Sequence, residues 1–156
     1  MKSMIVYHSE TGNTKRIAEY IHEKTDSDIL ELKPEKKYSK IGMYTSGIKR
    51  ALMQQKEDIG ITDIDLSAYD IIIIGTPVWG GHPTPVINAG LGIIKGGESK
   101  KAVAFATYRG SEGEALNVLR KRLENAGMIV LGAYGFSEKE TEDSGKIDEM
   151  IKEAGL

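Results

Sequence analysis

Cysteine is absent from this chain, and with it go disulfides, thiolate metal sites and cysteine nucleophiles. Aromatic residues make up only 6% of the 156 residues, and Trp79 is the sole tryptophan. Long apolar runs are missing as well. Stretches such as Ile71 to Ile74 fall far short of the roughly 20 residues that a membrane helix needs. No sign of charge dominates: 21 Lys and Arg against 23 Asp and Glu leave a formal net charge of −2. No general field therefore draws nucleic acid or an anionic membrane to the chain. The histidines, His8, His22 and His82, share no metal-ligand spacing, so a metal site is not expected. No Gly-x-Ser-x-Gly elbow supports a hydrolase triad, and no second glycine-rich dinucleotide turn follows a strand. Gly42, Gly47 and Lys49 imitate a nucleotide-binding loop only faintly, with the lysine displaced by one residue and no strand in front of it. A strand pattern begins within the first few residues, so no signal peptide is read, and a soluble, cytoplasmic protein is expected. The length suits one domain over residues 1–156 with one substantial core.

What is present alternates between β-type and α-type segments. Strand-like runs fall at 3–8, 28–33, 70–75, 102–107 and 128–136. They are rich in Val, Ile and Leu without period-two alternation, the pattern of strands covered on both faces. Helix-like segments fall at 13–24, 85–94, 113–125 and 144–153, with Ile17, Ala18, Tyr20 and Ile21, then Ala115, Leu116, Leu119 and Leu123, at helical spacing. The alternation predicts an α/β fold, a parallel sheet with right-handed crossovers and helices on both faces. Residues 34–68 differ: polar, with Gly42, Gly47 and Gly60, and one candidate helix at about 46–55. They read as a long second crossover.

In an open parallel sheet, ligands bind beyond the C-terminal ends of the strands, where strand order reverses. Three loops lie there. After the first strand comes Ser9-Glu10-Thr11-Gly12-Asn13-Thr14, a tight turn into a helix start. Its free N–H groups and the helix dipole favour an anion, and Ser9, Thr11 and Thr14 add hydroxyls. Without the lysine of a triphosphate loop, it suits one terminal phosphate. After the third strand comes Thr76-Pro77-Val78-Trp79-Gly80-Gly81-His82, and after the fourth Thr107-Tyr108-Arg109-Gly110-Ser111. His8 is expected to pack under the first loop, His82 to be a solvent-exposed loop residue and His22 to be plain surface.

The Ser9-Glu10-Thr11-Gly12-Asn13-Thr14 loop resembles the flavodoxin phosphate loop, whose pattern is Ser/Thr-x-Thr-Gly-Asn-Thr. Gly75-Thr76-Pro77-Val78-Trp79-Gly80 is similar to that family's first flavin-flanking loop, and Thr107-Tyr108-Arg109-Gly110-Ser111 falls at the second. The resemblance spans nearly the whole chain and is of the short-chain type. It implies a flavodoxin-like, three-layer, doubly wound sheet of five parallel strands in the order 2-1-3-4-5, with FMN at the switch point; flavodoxin is itself one of the folds on which that rule was stated. It implies that the backbone of loop 9–14 and the side chains of Ser9, Thr11, Asn13 and Thr14 hold the phosphate, with Glu10 and Gly12 completing the loop. Thr76, Pro77 and Val78 would shape the turn against the ribityl chain and ring. Trp79, followed by Gly80, would pack on one flavin face and Tyr108 on the other. Backbone groups of Thr107, Tyr108, Arg109 and Gly110 would reach the pyrimidine edge.

The function implied is an electron carrier working between redox partner proteins, as a monomer or weak dimer. The alternative is an FMN-dependent NAD(P)H:quinone or flavin reductase of the same fold. One departure from the family is the charge distribution. Lys33, Lys36, Lys37, Lys40, Lys49, Arg50 and Lys56 meet only Glu35 within residues 33–56, whereas the C-terminal stretch carries Glu138, Glu140, Glu142, Asp143, Asp148, Glu149 and Glu153. Arg109 also brings a positive charge to the second flavin loop, where it would favour reduced, anionic flavin.

Overall fold

The isoleucine run at Ile71 to Ile74 forms the middle of the sheet. The computed structural model describes residues 1–37, 42, 46–53 and 55–156; Tyr38, Lys40 and Tyr44, and Gln54 within the expected helix at 46–55, lie outside them. Among the described residues, β1 (Ser3–Tyr7), β2 (Asp28–Glu31), β4 (Ile71–Trp79), β7 (Lys101–Tyr108) and β8 (Ile129–Ser137) run parallel in the order β2-β1-β4-β7-β8. Counting these alone, the order is the expected 2-1-3-4-5. The shorter β3 (Ile64–Asp65), β5 (His82–Pro83) and β6 (Ile94–Lys95) fill in around them: β5 turns back antiparallel on β4, and β3 pairs β6 as a separate ribbon. No described helix is long and apolar enough to cross a membrane.

Alternate residues of each strand point to opposite faces, so the run feeds two cores at once. Ile71 and Ile73 join Ile5, Tyr7, Val103 and Phe105 on one face. Ile72 and Ile74 join Val6, Ala102 and Ala104 on the other. All four isoleucines are at most 2% exposed, and burying each contributes about 1.5–3 kcal/mol. On the first face lie α1 (Asn13–Thr25), through Ile17, Ala18 and Ile21, and α5 (Ser144–Ala154), through Ile147, Met150, Ile151 and Ala154. On the second lie α3 (Pro85–Leu91), through Val86 and Ile87, and α4 (Ala115–Asn125), through Leu119 and Leu123. The short α2 (Ile48–Leu52) is what the described residues show of the expected 46–55 helix.

Two boundaries differ from the sequence reading in ways that matter for the site. The third sheet strand runs on past Gly75 to Trp79, so Thr76, Pro77, Val78 and Trp79 belong to a strand end and not to a loop. Proline is tolerated there because β1 has already stopped, its last pair being Tyr7 with Gly75. Likewise Tyr108 closes β7 instead of opening the loop after it.

Candidate functional site

The loop from β1 into α1 has the makings of an anion site. Gly12 takes the left-handed φ of 94° as the N-cap, no side chain caps the helix, and no acidic residue stands in its first turn. The N–H groups of the first turn therefore face outward without a side-chain acceptor. Ser9 Oγ accepts from Gly12 N at 3.2 Å, closing the loop on itself. Thr14 is buried, and its hydroxyl meets that of Thr107 at 2.8 Å, tying the start of α1 to the end of β7.

His8, directly before the loop, is 1% exposed. Its Nε2 donates to Glu10 Oε1 at 3.1 Å, since a carboxylate only accepts, and its Nδ1 lies 2.9 Å from Thr84 Oγ1. Its ring stands edge-on to Trp79, with centroids 5.8 Å apart and planes at 75°. The histidine does pack beneath the loop, and it also braces the tryptophan. Thr84 in turn caps α3 by accepting from Ile87 N, and its own N–H donates to Thr76 Oγ1 at 3.2 Å.

Trp79 and His82 face each other across a two-residue turn, Gly80-Gly81, with φ of 56° and 79°. Positive φ at both positions defines a type I′ hairpin, which needs residues without a steric penalty there. The turn is held from both sides. A Cβ on Gly80 would lie 3.0 Å from Leu52 Cγ, placing the turn against α2. Gly81 O accepts from Glu114 N at 2.7 Å, and a Cβ on Gly113 would lie 2.5 Å from Gly81 Cα. His82 is half-buried, and its Nδ1 is buried with no hydrogen-bond partner among the described residues. The expectation of a solvent-exposed loop histidine is corrected: the Gly-Gly turn puts His82 into a strand against Trp79.

These elements surround one cleft of about 260 Å³. Of the residues singled out in the sequence, Glu10, Thr11, Asn13, Pro77, Val78, Trp79, Gly80, Thr107, Tyr108, Arg109 and Gly110 line it. Ser9, Gly12, Thr14 and Thr76 do not. Thr14 and Thr76 are buried behind the wall with their hydroxyls engaged, while Gly12 borders a neighbouring shallow hollow with Lys15 and Arg16. Trp79 is 7% exposed and Tyr108 half-buried. At the mouth, Arg109 Nε lies 3.6 Å from Glu138 Oε2. Beyond it, Glu140 closes a capping box with Ser137. Hydrogen bonds from the backbone and hydroxyl of Ser137 and from Lys146 hold its carboxyl down at about 2.

Sequence reasoning missed Ile48, Gly81 and Ser111 among the lining residues. Gly81 and Ser111 lie within the marked loops but were not assigned a place at the site. Ile48 comes from the crossover, where no strand-end signal exists.

The donor set fits a flavin mononucleotide: an uncapped helix start for a phosphate, and an indole and a phenol on the walls of the adjoining cleft for a flat ring. An open parallel α/β sheet with such a site at its C-terminal edge defines the doubly wound, nucleotide-binding class. The chain belongs to the flavodoxin family, whose model, described as Flavodoxin, matches residues 2–131. It is 30% identical over 101 residues to the protein named diflavin flavoprotein A 4 of Nostoc sp., which covers 57% of this chain and 17% of that one. The chain thus spans under a fifth of that relative's length. With the flavodoxin of Maridesulfovibrio salexigens it shares 24% identity over 140 residues, 84% of this chain and 82% of the other. The solved flavoprotein of Lactobacillus acidophilus in complex with FMN superposes with a TM-score of 0.70, at 23% identity, over 96% of this chain and 97% of that one.

Proposed function

We propose that the chain holds FMN without a covalent bond in this cleft and carries electrons between redox partner proteins, as a monomer or weak dimer. The observation that carries the reading is the meeting of Trp79 and Tyr108 on the walls of one cleft, beside a helix start that no side chain caps. The backbone of loop 9–14 would hold the phosphate, with the hydroxyl of Thr11 and the amide of Asn13 facing the cleft. Trp79 and Tyr108 would cover the ring, and such aromatic stacking is worth about 0.5–1.5 kcal/mol beyond burial. When bound, the flavin supplies one- and two-electron chemistry. The protein's part is to bury the ring, exclude water and set the local charge: Glu10 on the phosphate side, Arg109 with Glu138 at the mouth. A carrier needs an exposed cofactor edge, and an open cleft would leave one.

Two measurements test the reading. FMN added to ligand-free protein should lose its fluorescence in a saturable, one-to-one titration; no quenching refutes the cofactor. Loaded protein mixed anaerobically with NADPH should keep its visible flavin band until a reductase is added. Rapid bleaching by NADPH alone would refute the carrier and identify a reductase.

A further inference from the structure

Glu10 sets an electrostatic problem inside the proposed site. Glu10 lines the same cleft as Thr11 and Asn13, so a phosphate held by loop 9–14 would arrive near its negative charge. The buried ring of His8 stands directly behind it, with Nε2 on Glu10 at 3.1 Å and Nδ1 on the Thr84 hydroxyl at 2.9 Å. This pairing accepts a second proton without rearrangement. Nε2 donates to the carboxylate in either charge state, whereas Nδ1 accepts from Thr84 when neutral and donates to it when charged, because a hydroxyl serves both roles. Among the described elements near the ring, loop 9–14 carries Glu10 and β5 carries His82, β4 and α3 have no ionisable side chain, and the crossover brings Glu57, whose N–H donates to Pro85 O beside Thr84. Across the cleft, Arg109 is paired with Glu138.

We propose that His8 is the charge-compensating residue of the cleft, taking up a proton when a phosphate monoester binds beside Glu10. The inference rests on the FMN reading above. Binding then raises the proton affinity of His8, so over the pH range where the phosphate is dianionic FMN affinity falls as pH rises through the bound-state value. Between the free-state and bound-state values the dissociation constant changes by up to about tenfold per pH unit.

Isothermal titration of FMN into the ligand-free protein, in buffers of different ionisation heat, counts the protons taken up. It is run at about pH 7 to 8, where the phosphate itself is already largely dianionic. The ring-proton resonance of His8 is followed over the same range with and without FMN. The expected result is net proton uptake and a His8 midpoint that moves upward on binding. His8→Gln should bind FMN more weakly near pH 7 and show no uptake. Glu10→Gln should bind more tightly near pH 8 with reduced uptake, and it stands in should His8→Gln fail to fold. Binding without uptake and with a fixed His8 midpoint overturns the role of His8 alone; absence of any binding heat overturns the FMN reading itself.

Discussion

Thr14 and Thr107 are 93 residues apart, yet their hydroxyls meet at 2.8 Å with 1% and 5% of each residue exposed. This contact fastens the phosphate-type loop to the strand that carries Tyr108, and so holds two walls of the cleft in register. Valine matches threonine in shape and lacks the hydroxyl. Thr14→Val or Thr107→Val alone leaves the other hydroxyl buried without this partner, a loss of about 1–3 kcal/mol. The double variant removes both polar groups and should lie within about 1 kcal/mol of the parent, because replacing both partners by apolar groups is nearly neutral. The cycle should therefore give an interaction energy of at least about 1 kcal/mol. Urea unfolding of the four proteins measures it, and an FMN titration of each shows whether the loop loses affinity along with its tie. Single variants costing less than about half a kcal/mol, or a double variant equal to the sum of the singles within that margin, would refute the reasoning.

Three further expectations follow from the packing, the aromatic walls and the charges. Gly75→Ala would put a Cβ 2.3 Å from Cζ of fully buried Phe105; the overpacking should cost about 1–3 kcal/mol in urea unfolding, and a second change, Phe105→Leu, should recover part of it. Trp79→Ala should weaken FMN binding by at least the stacking contribution of about 0.5–1.5 kcal/mol, while Trp79→Phe keeps most of the affinity; equal fluorescence titrations for all three proteins would exclude the indole from the ring contact. Glu140, whose carboxyl is held at about 2 against an ordinary 4.5, contributes stability that is present above about pH 4.5 and lost as pH falls toward 2. Melting temperatures of the parent should therefore fall more steeply than those of Glu140→Gln over that window, and parallel curves would remove the effect.

Much of this architecture was readable from single residues. Four successive isoleucines at Ile71 to Ile74 can be satisfied only by a strand covered on both faces, and Ile17, Ala18 and Ile21 mark one apolar stripe of a helix. The motif at Ser9 to Thr14 declared a helix start, and α1 begins there. What stayed hidden depends on distant partners. Thr76, Pro77 and Val78 look like a loop because proline and glycines punctuate them; only the early end of β1 and the return strand at His82 and Pro83 make them extended. β3 and β6 pair over two residues each, too short to leave a periodic signal. The burial of His82 beside Trp79 follows from two glycines accepting positive φ, which no local composition announces. Ile48 reaches the cleft through the packing of α2 on Gly80, a contact between segments that carry no shared motif.

The central claim is that loop 9–14 and the ends of β4 and β7 together hold one FMN. Backbone amide chemical shifts of the isotope-labelled protein, recorded before and after one equivalent of FMN, test it most directly. The account predicts that the largest changes fall on residues 9–14, on Trp79 and Gly80, and on Tyr108, Arg109 and Gly110, with the indole N–H of Trp79 among them. Saturable changes confined to another surface, or no changes at all, would contradict it.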